Sequence, residues 1–326
     1  MFARGSGTMK RRTAIRRLLL AGAASMVPHL SGGQPQAGQQ EFTIRSEVRL
    51  VLLDVSVKDR AGTFVPGLSR ENFNVFENDV LQPITVFARE DLPVTVGILV
   101  DESQSMSHKR ADVLAAAGTL IAEGNPQDET FVLNFNETVR RGLPGGQLFS
   151  NDIQQLSTAL YRGFSTGRTA LYDAVFDGLR QLDMGHRDKK ALVLISDGGD
   201  NVSVHRRREV LGELDRGMAT VYAVGLYDAD DPDRSPGLLK HLAEVSGGEA
   251  FFPASSADMT DVCRGIAKDI RTRYTVGYVP KSSNGGSLRH IRVGVTAPSH
   301  ARLVARARTQ YRYDEATQDV SKPVRK

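Results

Sequence analysis

A single cysteine, Cys263, stands among 326 residues, and tryptophan is absent. One thiol cannot close an intramolecular disulfide, so stability has to come from packing rather than cystine staples. Cys263 lies in an apparent helix and reads as a small buried hydrophobe. Long apolar runs are also missing: LLLAGAASMV falls short of the roughly 20 residues that a membrane-spanning helix needs. Several enzyme signatures are lacking as well. There is no H-E-x-x-H zinc helix, no G-x-x-x-x-G-K-[ST] phosphate loop and no G-x-G-x-x-G dinucleotide turn. The seven histidines are scattered and read as surface or structural residues.

Negative charge is missing from the start of the chain. The first 40 residues hold Arg4, Lys10, Arg11, Arg12, Arg16 and Arg17 but no Asp or Glu. Without them 36 basic residues face 38 acidic ones, and the formal charge of +4 becomes −2. A body so balanced lacks the clustered positive charge of a broad nucleic-acid-binding surface, so nucleic acid is not an expected partner. Residues 1–40 read as an export signal and linker. MKRRTAIRR is a basic n-region, LLLAGAASMV a short apolar h-region and PHLSGGQPQAG a breaker-rich approach to cleavage. The expected localisation is exported, periplasmic or secreted; Arg11-Arg12 matches a twin-arginine signal only loosely. No Cys follows the h-region to carry a bacterial lipid anchor.

What is present is rhythm. Residues 41–92 form an N-terminal β segment, in which Leu53, Val55 and Val57 alternate with Asp54, Ser56 and Lys58 at strand period. From 93 to 270 the chain alternates strand and helix. VTVGILV (94–100), TFVLNF (130–135), ALVLIS (191–196) and ATVYAVGL (219–226) are short, nearly continuous apolar runs, as in parallel strands covered on both faces. Between them Met106, Val113, Leu114, Ala117, Leu120 and Ile121 make one helical stripe, and Leu171, Tyr172, Val175, Leu179 and Leu182 another. This predicts an α/β fold, a doubly wound, mostly parallel sheet with helices on both faces. Residues 271–313 return to β. Neither β segment has enough strands for its own core, so 41–92 and 271–313 are expected to pair as a small β-sandwich holding the α/β domain as an insertion. The polar tail 314–326 reads as disordered.

In doubly wound sheets, ligands bind beyond the carboxyl ends of the strands. Three polar clusters fall at such places. Asp101, Ser103 and Ser105 follow strand 94–100; Thr169, in STGRTALYD, precedes the second helical stripe; Asp197, in ISDGGDN, ends strand 191–196. Two carboxylates and three hydroxyls are a hard, all-oxygen set that suits Mg²⁺, Mn²⁺ or Ca²⁺ rather than Zn²⁺. Two negative charges roughly neutralise such a cation and leave a coordination place for an outside carboxylate. Mg²⁺ is the default, because hydroxyls and water-bridged carboxylates suit its octahedral shell. Asp200 is a secondary candidate that could equally shape the turn after Asp197.

DESQSM, then GRTALYD, then SDG resembles the metal-ion-dependent adhesion site of von Willebrand factor A-type domains, whose pattern is D-x-S-x-S, a distant Thr and a distant Asp. That resemblance implies that Ser103, Ser105 and Thr169 coordinate the metal through hydroxyls. It implies that Asp101 and Asp197 hold it partly through water, and that a partner's Glu or Asp completes the shell. Glu102 and Gln104 replace smaller residues between the ligands, where added bulk or charge alters access. The flanks VLLDVSVKDRAGTFVPGLSRENFNVFEND and RYTVGYVP are similar to exported bacterial von Willebrand A-related proteins of the acidobacterial type. In some relatives the last helix moves to switch the site; here that helix is expected near 255–270.

The expected function is therefore that of an exported, non-enzymatic binding or adhesion protein that engages a protein partner's acidic side chain. One rival is an envelope scaffold with a structural metal. Another is a haloacid-dehalogenase-like phosphatase, echoed by DESQS and SDGGDN with Lys189 or Lys190 as its lysine, but Ser103 stands where its acid/base carboxylate belongs. The acidic stretch YDADDPDRSPG (227–237), with Asp228, Asp230, Asp231 and Asp233, reads as a solvated loop without the Gly and distal Glu of an EF-hand. HRRRE (205–209) reads as a solvated basic face opening a helix.

Overall fold

The structure, a computed structural model, describes residues 50–89, 91–227, 234–280, 287–298 and 302–313. The segment expected to direct export, the cluster from Asp228 to Asp233, residues 281–286 and the tail 314–326 lie outside the described residues.

Strand-period sequence becomes strand at once: β1 (Val51–Lys58) buries Val51, Leu53, Val55 and Val57. There follow β2 (Phe73–Glu77), β3 (Val80–Gln82) and β4 (Ile84–Ala88). The tight β2–β3 hairpin turns on Asn78 and Asp79, at φ 46° and 64°. Two successive left-handed residues match the strand twist of a two-residue turn, and Asn and Asp tolerate that region best.

The next segment alternates. β5 (Val94–Asp101), buried at every residue, leads through a short 3₁₀ turn (Gln104–Lys109) to α1 (Arg110–Ala122). Then come β6 (Glu129–Phe135), β7 (Val139–Arg141), α2 (Ile153–Leu160), α3 (Leu171–Asp183) and β8 (Lys189–Ser196). α4 (Arg207–Arg216), β9 (Thr220–Gly225), α5 (Pro236–Ser246), β10 (Ala250–Phe251) and α6 (Ser256–Thr272) complete it. The sheet order is β10-β9-β8-β5-β6-β7, parallel except at β7. The mostly parallel α/β sheet expected from the apolar runs is present. From β5 the chain crosses to β6, whereas from β8 it crosses to β9 on the other side. β5 and β8 therefore flank the topological switch point, where their carboxyl ends open a crevice.

α6 runs into β11 (Tyr274–Tyr278) with only Arg273 between, and β12 (Leu288–Val295), β13 (Val304–Arg306) and β14 (Gln310–Arg312) follow. These strands combine with those before β5 in two four-stranded sheets, β13-β1-β11-β4 and β14-β12-β2-β3. Phe73, Phe87 and Tyr274 meet between the sheets at ring-centroid distances of 5.1–5.8 Å.

Candidate metal site

Asp101 is the last residue of β5, and Ser196 is the last of β8 with Asp197 just beyond it, so neighbouring strands bring them together at the switch point. Asp101 Oδ2 accepts from Ser196 Oγ at 2.6 Å and its Oδ1 from the Ser103 N–H at 2.8 Å. Ser103 Oγ and Ser105 Oγ lie 3.1 Å apart, and Ser105 Oγ donates to Asp197 Oδ2 at 2.5 Å. Asp197 Oδ1 is held by the Gly199 N–H at 3.0 Å. Thr169 joins from the third segment through its backbone: its N–H donates to Asn201 Oδ1 at 2.9 Å, and its carbonyl accepts from the Asn201 and Val202 N–H groups. Asp101, Ser103, Thr169 and Asp197 are buried and Ser105 is half-buried. Their burial shows that these side chains are part of the packed structure and not a loose rim.

Burial, and then the like charge of Asp197, push the Asp101 carboxyl up to about 7, against the pull of its hydrogen bonds from Ser103 and Ser196. Two buried carboxylates placed to repel each other, beside hydroxyls rather than lysines or arginines, form a donor set that a hard divalent cation fits. Among the described residues no three His, Cys, Asp or Glu side chains gather as a metal site, so a nitrogen- or thiolate-rich centre has no counterpart. Asp200 faces elsewhere. Its Oδ1 accepts from the Tyr172 N–H at 3.1 Å and from Ser203 Oγ at 2.5 Å, which fixes the turn against the start of α3.

Glu102 is the residue that sequence reasoning misplaced. It does not stand in the site's entrance but turns inward, 1% exposed, where Arg110 and Arg140 each donate to it at 2.8 Å. The loop before Thr169 lies on it: the Thr166 N–H donates to the Glu102 carbonyl, and a Cβ at Gly163 would overlap the carboxylate. No local pattern signals this, since the partners come from 8 and 38 residues away. GFSTG (163–167) also has the G-x-S-x-G spelling of a serine nucleophile. It lies in a loop between helices rather than a strand-to-helix elbow, and Ser165 Oγ has no hydrogen-bond partner to activate it. Lys189 opens β8, buried and 3.8 Å from Asp54, at the far end of the strand from Asp197, so it cannot serve a phosphatase site there.

A family model, von Willebrand factor type A domain, matches residues 95–264. No curated relative matches the chain. Among solved structures the chain is similar to a von Willebrand factor type A protein from Catenulispora acidiphila, at 17% identity over 75% of this chain and 74% of that one, with a TM-score of 0.49. It is also similar to the conserved hypothetical protein BatB from Bacteroides thetaiotaomicron, at 17% identity over 55% of this chain and 100% of that one (TM-score 0.42). A third is proximal thread matrix protein 1 from the mussel byssus, solved with zinc in its MIDAS motif. The identity is 15% over 56% of this chain and 49% of that protein, with a TM-score of 0.47.

Proposed function

The chain belongs to the von Willebrand factor type A domain family, and on that premise we propose that it grips a partner's acidic side chain through a divalent cation, Mg²⁺ by default, held by Asp101, Ser103, Ser105, Thr169 and Asp197. Domains of this family typically act in protein binding and adhesion rather than catalysis, and commonly hold a divalent metal. The observation that carries the reading is the chain of oxygens from Ser103 to Ser105 to Asp197, in contacts of 3.1 and 2.5 Å, beside Asp101 at the switch point. When bound, the cation supplies a Lewis-acid contact to the partner's carboxylate. The chain's own groups orient that contact: Ser196 and the Ser103 N–H hold Asp101, and the Gly199 N–H holds Asp197.

The proposal extends to location and organisation. Residues 1–40 direct export to the periplasm or beyond, and 41–92 with 271–313 form one β domain around the 93–270 insertion. No helix among the described residues is long and apolar enough to cross a membrane.

Titration calorimetry of the chelator-stripped protein with Mg²⁺, Mn²⁺ and Ca²⁺ tests the site. Thr169→Ala is the informative variant, because Thr169 is tied in by its backbone. Asp101→Ala, by contrast, also strands the buried Ser196 hydroxyl. Thr169→Ala is expected to weaken saturable one-site binding at least tenfold, with stability unchanged within about 1 kcal/mol. Binding equal to wild type in that variant and in Ser103→Ala sinks the mechanism.

A further inference from the structure

Two loops frame the candidate site, and their composition is one-sided. YRGFSTGR (161–168) leads into Thr169, and NVSVHRRR (201–208) follows the Asp197 turn. They meet at the site: besides the Thr169–Asn201 pairing, Arg168 donates to the Asn201 carbonyl at 2.5 Å. Neither stretch contains an Asp or Glu, and Arg162, Arg168 and the run from Arg206 to Arg208 are all exposed; the acidic groups beside them are Glu137, which accepts from the Arg168 N–H at 3.2 Å, and Glu209, which accepts from the Arg206 N–H at 2.8 Å. Each loop also holds a large apolar side chain out in water. Phe164 is 81% exposed and Val204 86%, more than any other large hydrophobic among the described residues.

Both are held there by fixed backbone. The Thr166 N–H donates to the Glu102 carbonyl at 2.8 Å and the Gln104 N–H to the Gly167 carbonyl at 3.0 Å, which pins the loop just beyond Phe164. The N–H groups of Val204 and His205 both donate to the Asp173 carboxylate, at 3.0 and 2.8 Å. The arginines stand where local folding disfavours them. Arg206 caps α4 and Arg207 and Arg208 fill its first turn, at the positive end of the helix dipole. Exposed apolar groups on two loops that also carry exposed arginines suit a ligand that is both acidic and apolar.

Resting on the cation-site reading above, we infer that the partner presents an acidic polypeptide segment. One carboxylate goes to the cation, and neighbouring Asp or Glu side chains meet Arg168 and the run from Arg206 to Arg208. A large apolar side chain beside the coordinating residue packs on Phe164 and Val204. A nucleic acid fits less well, because of these two apolar groups Phe164 alone offers a base a ring to stack on and the body of the chain is not basic overall.

Fluorescence anisotropy with the labelled peptide Gly-Glu-Asp-Leu-Glu-Glu-Gly, its Leu→Gly analogue and a dT oligonucleotide, each in Mg²⁺ and in EDTA, tests this. The Leu peptide is expected to bind wild type at least fivefold tighter than its analogue, only in Mg²⁺. The Phe164→Ser/Val204→Ser variant erases that difference, and Arg206→Ala/Arg207→Ala/Arg208→Ala weakens both peptides at least fivefold at low salt. Mg²⁺-dependent binding that ignores the leucine and these substitutions overturns the surface and leaves the cation reading standing. Binding that survives EDTA overturns the cation reading itself. No binding of either peptide, or equal arginine-dependent binding of the oligonucleotide, overturns the polypeptide assignment.

Discussion

At the scale of single residues, the candidate site combines groups whose position was readable with one whose role was not. Asp101, Ser103, Ser105, Thr169 and Asp197 were legible as a candidate set because three clusters of short oxygen-bearing side chains, each alone readable as a cap or turn, fall together at the carboxyl edge of apolar strands in the order of a known motif. Glu102 was not, because an acidic residue at a strand end ordinarily points to water, and its partners are brought to it only by the fold. Its carboxylate is nearly dry while Arg110 and Arg140 retain 23% and 42% side-chain exposure. Removing the buried charge leaves arginines that can turn to solvent, so Glu102→Gln is expected at the lower end of a broken buried pair, about 3 kcal/mol. Urea unfolding measures it. The same variant loosens the contact beneath Gly163, so tryptic cleavage after Arg162 or Arg168 should accelerate. A change under 0.5 kcal/mol with unaltered cleavage would show that Glu102 is not the support of this loop.

At the scale of elements, strands buried on both faces announced themselves as apolar runs, whereas β7 and β10, three and two residues long, are too short to show any period. The Asn78-Asp79 hairpin also passed unread, its exposed Val80 and Leu81 and buried Gln82 giving β3 no buried apolar face to signal. α6 was visible as a helix, but what anchors it was not. Near its end Asp269 accepts from Ser56 Oγ, Tyr222 and Arg273 at 2.5, 2.7 and 2.9 Å. Burial alone would raise this carboxyl, but Arg273 and then Lys58 outweigh it and hold the group well below the usual carboxylate range. Because the folded pKa is depressed, this stabilisation is full above the unfolded value of about 4 and is lost as pH falls below it. Asp269→Asn is therefore expected to cost about 3–5 kcal/mol at pH 7, since it strands the buried Arg273. It should also flatten the loss of stability below pH 4. Parallel wild-type and variant curves, in urea unfolding from pH 7 to pH 2.5, would remove Asp269 from that role.

At the scale of the whole molecule, the question is whether the β-sandwich and the α/β body unfold separately. Their junction argues against it. No linker separates α6 from β11, and Arg273 donates to the Asp54 carbonyl of one part and the Gly247 carbonyl of the other, at 3.1 and 2.9 Å. Glu249 pairs with Lys58 at 2.7 Å and with Arg306 at 3.1 Å, and the Thr309 N–H donates to the Val245 carbonyl. Gly247 sits at φ 82° where a Cβ would strike the backbone of Ala307, so the two parts approach as closely as a bare backbone permits. Contacts that tie the two parts at the buried Arg273, at the partly exposed Glu249 and along the backbone predict one cooperative calorimetric transition whose van't Hoff and calorimetric enthalpies agree. Cys263 supplies an internal reporter. It is buried in α6, and burial pushes its thiol up to about 12, so almost no reactive thiolate exists at pH 8 while the fold is intact. Thiol labelling through a urea titration should share its midpoint with the fluorescence of the tyrosines, several of which, Tyr274, Tyr278 and Tyr311, are buried in the sandwich. If Cys263 is labelled well before the tyrosine signal changes, the helix detaches first, and the junction is a hinge through which the site at the other end of the sheet can be reached.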